Sequence, residues 1–273
     1  MSAVTLDDFE RTTFTHDGKE RDVFRRGSGP AVIVMAEMPG ITSAVLRFAD
    51  DVASLGLTAV VPHLFGTPGR SLGGSKRTAV PYLLSSVVPA CVSREFTVWA
   101  TNRTSPVVDW LRALARTEHE RCGGPGVGAV GMCFTGGFAL AMSVDDAMIA
   151  PVLSQPSLPF TMTKGQRRSI DCSPDDLAVV KERCAASGLQ VMGLRFEGDR
   201  NVPPERFAFL REELGDAFIA VELADADANP DALLPPHSVL TEHLVDEPGT
   251  PTRQAYDDVL SFFAGRLGVA GDS

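Results

Sequence analysis

From residue 30 onward, short apolar runs alternate with segments of helical spacing, and this order limits the fold more than any other feature of the chain. The apolar runs are rich in β-branched residues and lie at 30–36, 57–61, 127–132, 147–153, 190–196 and 217–223. Such runs are typical of parallel strands that are covered on both faces. The segments of helical spacing lie at 43–55, 106–122, 134–143, 173–187, 203–214 and 251–266. The alternation predicts an α/β fold with a mostly parallel central sheet and helices on both faces.

Three segments fall outside this alternation. Residues 12–26 hold two short alternating runs around His16-Asp17-Gly18, a pattern typical of a β-hairpin. Residues 63–104 and 154–172 are too long for simple connections, and the first contains a glycine-rich stretch and a helical piece near 81–98. Long insertions at strand ends often bear functional residues, although the second is equally consistent with a plain surface loop. We expect one domain over residues 1–273 with these two insertions.

Composition and charge exclude several classes of protein. The net charge of −10 disfavours binding to nucleic acid. The N-terminus has no basic and apolar regions like those of a signal peptide, and the longest uncharged stretch, 123–144, contains seven glycines, so no membrane partner is expected. Five cysteines without a CxxC pair disfavour disulfides and a zinc site. We therefore expect a cytoplasmic protein.

The sequence Gly-Met-Cys-Phe-Thr-Gly-Gly at 131–137 joins a predicted strand to a predicted helix. A sharp turn in this position is typical of a nucleophile elbow, which would expose Cys133 above the sheet. The start of a helix favours a thiolate, and the backbone N–H of Phe134 could stabilise an oxyanion. Thr135 stands where such elbows usually have glycine. The alternative is a buried cysteine in a glycine-rich packing turn.

A cysteine nucleophile needs a base and a carboxylate that orients the base. Asp199 follows the strand at 190–196, and His237 comes 38 residues later, after the next strand. The order nucleophile, acid, histidine is that of a known class of hydrolases. His63 also follows a strand and could line a pocket, but it precedes the cysteine. A turn residue remains the alternative role for Asp199.

These motifs together resemble the dienelactone hydrolase family of α/β-hydrolases. Cys133, Asp199 and His237 fall on the catalytic triad of the family, and residues 36–40 resemble its glutamate-containing segment after the third strand. The resemblance implies the α/β-hydrolase fold and a Cys-His-Asp triad. It also implies that Glu37 interacts with the resting thiol and helps to activate it, and that the backbone N–H of Met38 is the second oxyanion donor.

The glutamate also has a physical argument of its own. A carboxylate directly after an apolar strand either points into a pocket at the edge of the sheet or lies exposed in a loop, because burial without partners is costly. The position of Glu37 favours the pocket, and an ordinary exposed loop acid remains the alternative.

The chain departs from the family at the positions that are expected to bind a substrate carboxylate. The family arginine four residues after the histidine is Thr241 here, and Arg94 is the best match for a second arginine. We expect a hydrolase that opens a lactone or cleaves a carboxylic ester through an acyl-enzyme, without a metal or organic cofactor. The alternatives are a thioesterase or general carboxylesterase, or a non-catalytic ligand-binding or thiol-redox protein. Whether the chain is a monomer or a homodimer stays open.

Overall fold

An eight-stranded sheet forms the centre of the computed structural model, which describes residues 4–71, 75–97 and 99–269. The strands are β1 (Glu10–His16), β2 (Lys19–Gly27), β3 (Ala31–Met35), β4 (Thr58–Pro62), β5 (Val127–Met132), β6 (Met148–Ser154), β7 (Val191–Phe196) and β8 (Phe218–Leu223). Their order is β1-β2-β4-β3-β5-β6-β7-β8. The hairpin β1–β2 and the pair β2–β4 are antiparallel, and every other pair is parallel. The predicted α/β fold with a mostly parallel sheet is confirmed.

Helices cover both faces of this sheet. They are α1 (Ser43–Ser54), α2 (Lys76–Val92), α3 (Val107–Cys122), α4 (Phe138–Met142), α5 (Lys164–Arg167), α6 (Pro174–Ser187), α7 (Pro204–Leu214) and α8 (Pro251–Leu267). Side chains of α1 and α8 share one apolar core, and those of α3, α4, α6 and α7 share the other. In β3, Val32 and Val34 join the first core while Ile33 joins the second, since successive side chains of a strand point to opposite faces.

Two helices differ from the sequence-based expectation. Residues 134–143 form a 3-10 turn at 133–135 and then the short helix α4, because the chain must make the elbow before a helix can start. Helix α2 begins earlier and ends earlier than the helical piece expected near 81–98. Val98 and residues 72–74 of the glycine-rich stretch lie outside the described residues. None of the helices in the described ranges is long and apolar enough to cross a membrane.

The parallel part of the sheet places several chain segments at one edge. Strands β3, β5, β6, β7 and β8 run in the same direction, so their carboxyl ends lie side by side. Glu37, Cys133, Gln155 and Asp199 follow β3, β5, β6 and β7, respectively, and His237 lies in the long loop after β8. In open α/β sheets this edge is where ligands bind.

Candidate active site

Cys133 sits on a strained turn between β5 and α4. Its φ of 54° lies in the left-handed region that non-glycine residues rarely adopt. The flanking glycines are needed because backbone passes close by: a Cβ on Gly131 would lie 2.1 Å from the carbonyl oxygen of Thr135, and one on Gly136 would lie 2.4 Å from Cα of Pro156. The turn has the geometry of a nucleophile elbow and lifts the sulfur above the sheet edge.

Thr135 has a structural role inside this turn. Its hydroxyl accepts a hydrogen bond from the backbone N–H of Met132 at 2.9 Å, and it lies 3.0 Å from the carbonyl oxygen of Met35 at the end of β3. The side chain is fully buried. A threonine at the position where elbows usually have glycine therefore ties the elbow to the neighbouring strand.

His237 and Asp199 form a hydrogen-bonded pair beside the cysteine, in which Asp199 is buried and His237 is partly exposed. His237 Nδ1 donates to Asp199 Oδ2 at 2.6 Å, and the other carboxylate oxygen accepts from the backbone N–H of Asn201 at 2.9 Å. Both oxygens are thus occupied, which fixes the carboxylate and through it the imidazole ring.

The second ring nitrogen of His237 points toward the sulfur. Nε2 is buried, and no hydrogen bond to it meets the geometric criteria among the described residues, yet the sulfur of Cys133 is close enough to act on the pKa of the ring. Burial alone would lower the pKa of His237. The charge of the Cys133 thiolate and the hydrogen bond and charge of Asp199 outweigh burial and raise that pKa well above its usual value. The raised pKa favours a protonated, positively charged ring at His237 beside the sulfur.

Ser157 is a contact of the sulfur that the sequence reasoning missed. Its hydroxyl lies 3.4 Å from Cys133 Sγ, and its backbone N–H donates to the carbonyl oxygen of Cys133 at 2.9 Å. Ser157 belongs to the 154–172 insertion, where a polar Ser-Gln pair directly after an apolar strand was the available signal. This segment contributes to the site and is more than a surface loop.

Two residues expected to supply oxyanion donors lie beside the sulfur. Met38 and Phe134 both line the cavity beside Cys133. Neither backbone N–H donates to a protein acceptor within the described ranges of the chain. Unpaired amides at such a position can bind a developing oxyanion, which is the role expected for both residues.

Glu37 is buried at the end of β3, so it is not an exposed loop acid. Its carboxylate accepts hydrogen bonds from Gln155 Nε2 at 3.1 Å, from Ser238 Oγ at 2.5 Å and from the hydroxyl of Thr241. No hydrogen bond joins the carboxylate to Cys133 among the described residues. The carboxylate instead holds the loop that bears His237, through Ser238 and Thr241, and the expected action of Glu37 on the resting thiol stays a prediction.

We expect Glu37→Gln to lower kcat for an activated ester about tenfold or more while the pH dependence of Cys133 alkylation stays unchanged. A glutamine amide turns one acceptor into a donor, and it would then face a neighbouring donor in the buried cluster, which costs about 1–3 kcal/mol. The loop that bears His237 would be held less firmly, whereas the side chains in contact with the sulfur of Cys133 would not change. The alkylation rate of Cys133 is measured against pH, and kcat is measured by steady-state kinetics. Glu242→Gln is the matched control, because Glu242 lines the same cavity without the hydrogen-bond donors that surround Glu37. A shifted alkylation profile in Glu37→Gln would instead indicate direct action on the thiol.

The cavity at the sulfur has a volume of about 820 Å³. Its walls are largely apolar and include side chains from both insertions and from the loop before His237: Met38, Pro39, Leu83, Val87, Phe134, Phe160, Leu233, Leu234 and Pro235. Four carboxylates also line it, namely Glu37, Asp199, Asp225 and Glu242, and Arg200 is the one arginine or lysine among the described residues of the lining. Burial and the charge of Glu37 raise the pKa of Glu242. No cluster of three or more potential metal ligands occurs in the described part of the chain.

The residues expected to bind substrate lie elsewhere. His63 lines a separate surface groove, because its backbone N–H pairs with the carbonyl oxygen of Asp22 on β2 at 2.9 Å. Arg94 is exposed just after α2 and is not among the residues that line the 820 Å³ cavity. Thr241 is buried, and its hydroxyl contacts Glu37 rather than the cavity.

His243 supports the loop of His237 without reaching the sulfur. Its Nδ1 accepts from the backbone N–H of Ser238 at 3.1 Å, and its Nε2 donates to the carbonyl oxygen of Leu234 at 2.9 Å. Burial lowers the pKa of His243, which keeps the ring in this neutral form.

The strand order, the elbow and the placement of the polar residues at the carboxyl edge define an α/β-hydrolase. The sequence model of the dienelactone hydrolase family matches residues 23–159, half of the chain. The protein belongs to the dienelactone hydrolase family. A search of curated proteins found no match.

Solved structures of related hydrolases share the fold over nearly the whole chain. A protein from Klebsiella pneumoniae subsp. pneumoniae described as a dienelactone hydrolase is 17% identical, with 94% of this chain and 98% of that chain covered and a TM-score of 0.58. A dienelactone hydrolase-like promiscuous phosphotriesterase from metagenomic libraries is 15% identical, with 95% and 98% covered and a TM-score of 0.57. A dienelactone hydrolase from Anabaena variabilis is 14% identical, with 95% and 99% covered and a TM-score of 0.56.

Proposed function

We propose that this member of the family hydrolyses carboxylic esters or lactones, with Cys133 as nucleophile, His237 as base and Asp199 as the orienting acid. The observation that supports this proposal is the chain of contacts at the sheet edge. Asp199 holds Nδ1 of His237 at 2.6 Å, while the free Nε2 faces the sulfur on a strained elbow. This arrangement of nucleophile, base and orienting carboxylate supports a catalytic triad, which is recognised by geometry and roles.

The reaction proceeds in two halves. The sulfur of Cys133 forms a bond to the substrate carbonyl carbon, and the proton of the thiol resides on Nε2 of His237. The amides of Met38 and Phe134 stabilise the oxyanion. When the intermediate collapses, the C–O ester bond breaks and His237 protonates the departing alkoxide, which stays attached in a lactone. Water, deprotonated by His237, then attacks the thioester and releases the acid.

The charge of the cavity favours uncharged substrates. Four carboxylates and one arginine line the space beside the sulfur, and Glu37 is stabilised by neutral donors alone. A substrate carboxylate would meet net negative charge here, since Thr241 replaces the arginine of the family. We therefore propose neutral esters or lactones with an apolar acyl group as the substrate class.

We expect kcat/KM for a neutral short-chain ester or lactone to exceed that for a carboxylate-bearing dienelactone by about ten- to hundredfold. One charge-assisted hydrogen bond contributes about 1.5–3 kcal/mol, and the cation that would supply it is missing. Steady-state kinetics on the two substrate types measure the ratio. A preference for the dienelactone would mean that Arg200 already anchors the carboxylate, and Arg200→Gln should then remove that preference.

The same measurements separate the alternatives. A higher kcat/KM for acyl thioesters than for matched oxygen esters would make the protein a thioesterase. Absence of turnover on every ester, lactone and thioester, together with binding of an apolar ligand, would favour a non-catalytic binding protein on the same fold.

A further inference from the structure

The exposed apolar side chains of the described residues are concentrated around the catalytic cavity. Of the eight large ones, seven lie in the two insertions or in the loop before His237, and only Val179 on α6 lies elsewhere. The seven are Val80, Leu84, Val88, Val92, Trp99, Met162 and Leu234. Single exposed apolar residues are normal on a protein surface, whereas a concentration at one site marks an interaction surface.

Helix α2 contributes four of these side chains as one stripe. Val80, Leu84, Val88 and Val92 follow one another at intervals of four residues, so they lie on one face of the helix. Between 43% and 77% of each side chain is exposed. No charged residue occurs between residues 78 and 93. This face of α2 is thus apolar over most of its length.

The other side of the same helix belongs to the cavity. Leu83 and Val87 of α2 line the cavity at Cys133. Trp99, which follows α2 and is 54% exposed, packs edge-on against Phe160 with ring centroids 5.1 Å apart, and Phe160 also lines the cavity. A partner bound to the exposed stripe of α2 would therefore be separated from the cavity at Cys133 by the thickness of this one helix.

Cations flank the stripe. Arg77 and Arg94 are exposed near its two ends, and Arg70 lies over the ring of Tyr82 on α2 at 4.1 Å. The acid next to Arg94, Glu95, is held by Arg21 at 2.7 Å. On a chain with a net charge of −10, this local arrangement of arginines complements an anionic surface.

A second copy of the chain fits this face poorly. In a two-fold pairing of α2 with its copy, an antiparallel arrangement brings Arg77 opposite Arg94, and a parallel arrangement brings each arginine opposite itself. Both pairings oppose like charges, and the stripe contains no acid that could compensate them.

We infer that α2 and Trp99 dock the protein on an anionic lipid surface, with the apolar stripe in the headgroup region and the arginines on the lipid phosphates. An apolar helix face with flanking cations and a tryptophan is the chemistry of helices that lie in a membrane interface. Docking places the cavity where lipophilic esters dissolve. The substrate class that follows, esters partitioned into a bilayer, rests on the proposed ester hydrolase function; the docking itself does not.

Trp99 provides a direct readout of docking. The chain has two tryptophans, and Trp110 is buried with its Nε1 donating to the carbonyl oxygen of Lys19 at 3.0 Å. Vesicles of phosphatidylglycerol and phosphatidylcholine should shift the emission of Trp99 to the blue, and bromine-labelled acyl chains should quench it. Vesicles of phosphatidylcholine alone should bind far less, and added salt should weaken binding.

Matched substitutions locate the docking surface. Val88→Asp should abolish the emission shift, whereas Val179→Asp, the same change on the exposed valine of α6, should leave it intact. Arg77→Gln combined with Arg94→Gln should weaken binding to anionic vesicles about thirtyfold. If Val88→Asp does not fold, quenching of the native protein by bromine-labelled lipid and the arginine variant decide the question.

Several outcomes would overturn the inference. One is native emission that no vesicle changes, and another is an equal shift in the Val88→Asp and Val179→Asp variants. A native dimer that Val88→Asp converts to a monomer, without vesicle binding, would assign the stripe to a second copy. Vesicle binding needs no substrate, so it can succeed where ester hydrolysis fails. The ratio of turnover on bilayer-embedded ester to turnover on dissolved ester should fall in Val88→Asp if both proposals hold.

Discussion

Replacing Cys133 with alanine is expected to lower kcat for a neutral activated ester by about 10⁴-fold or more, the scale at which loss of a nucleophile acts in triad hydrolases. The variant keeps the amides of Met38 and Phe134 and the pair His237–Asp199, so it retains oxyanion binding but has no atom to form the acyl-enzyme. Alanine has no bulk beyond Cβ and fits the elbow, whose strain at φ 54° remains. Urea unfolding of Cys133→Ala and of the native protein, measured alongside the kinetics, shows whether the variant keeps the native fold.

The remaining cysteines provide matched controls. Cys91, Cys122, Cys172 and Cys184 are free thiols outside the cavity of Cys133. Burial raises the pKa of the Cys91, Cys172 and Cys184 thiols, which disfavours their reactive thiolate form. Alanine at each of these positions should leave most of the turnover, and one equivalent of iodoacetamide should modify Cys133 first. Undiminished turnover in Cys133→Ala would refute the cysteine mechanism.

Much of the fold follows from local sequence patterns. The apolar runs become β3 to β8 because each is short, β-branched and bounded by turn residues, and Ser173 and Pro174 start α6 where a cap and a first-turn proline predict it. The elbow was predicted because its glycines are required by close backbone approach. The length of α4 was not, since the turn at 133–135 depends on the hydroxyl of Thr135 contacting another strand.

The triad could be proposed from the sequence because each member follows a strand of a parallel sheet. The partners of Glu37 could not. Gln155, Ser238 and Thr241 come from two distant segments, and only the assembled sheet edge brings them onto one carboxylate. The position of a residue at a strand end predicts that it lies at the edge of the sheet, but it does not predict which side chains from other segments contact it.

The same limit explains why His63 and Arg94 do not line the cavity at Cys133. His63 follows β4, which lies between β2 and β3, and its backbone pairs with Asp22 of the hairpin. The residue lines a separate groove and is not among the residues that line the cavity at Cys133. Arg94 follows a helix of an insertion whose path over the sheet no local pattern specifies. The position of His63 after a strand indicated the edge of the sheet, but for both residues the tertiary contacts decide which cavity or surface they line.

We expect His237→Ala to lower kcat for the same ester about 10³-fold or more and to slow alkylation of Cys133 about tenfold or more at pH 6.5. The charge of Cys133 and the hydrogen bond and charge of Asp199 raise the pKa of His237, so the native ring is an imidazolium below that raised value and places a positive charge beside the sulfur. As pH rises through the pKa of His237, the cation is lost. In alkaline solution a thiol needs no neighbouring cation to ionise, since the pKa of an ordinary thiol is about 8.5.

The alkylation rate of Cys133 should therefore differ most between the native protein and His237→Ala at acidic to neutral pH. The two rates should become equal in alkaline solution. Iodoacetamide rates from pH 5.5 to 9.5 measure it. His63→Ala is the matched control, because His63 lines a separate groove and should leave the profile unchanged. Asp199→Asn should have a smaller effect of the same sign, since Asn201 N–H still holds one side-chain oxygen while the ring loses its anionic partner. Coincident profiles for native protein and His237→Ala would show that His237 does not ionise the sulfur, and a base would then have to be sought elsewhere in the cavity.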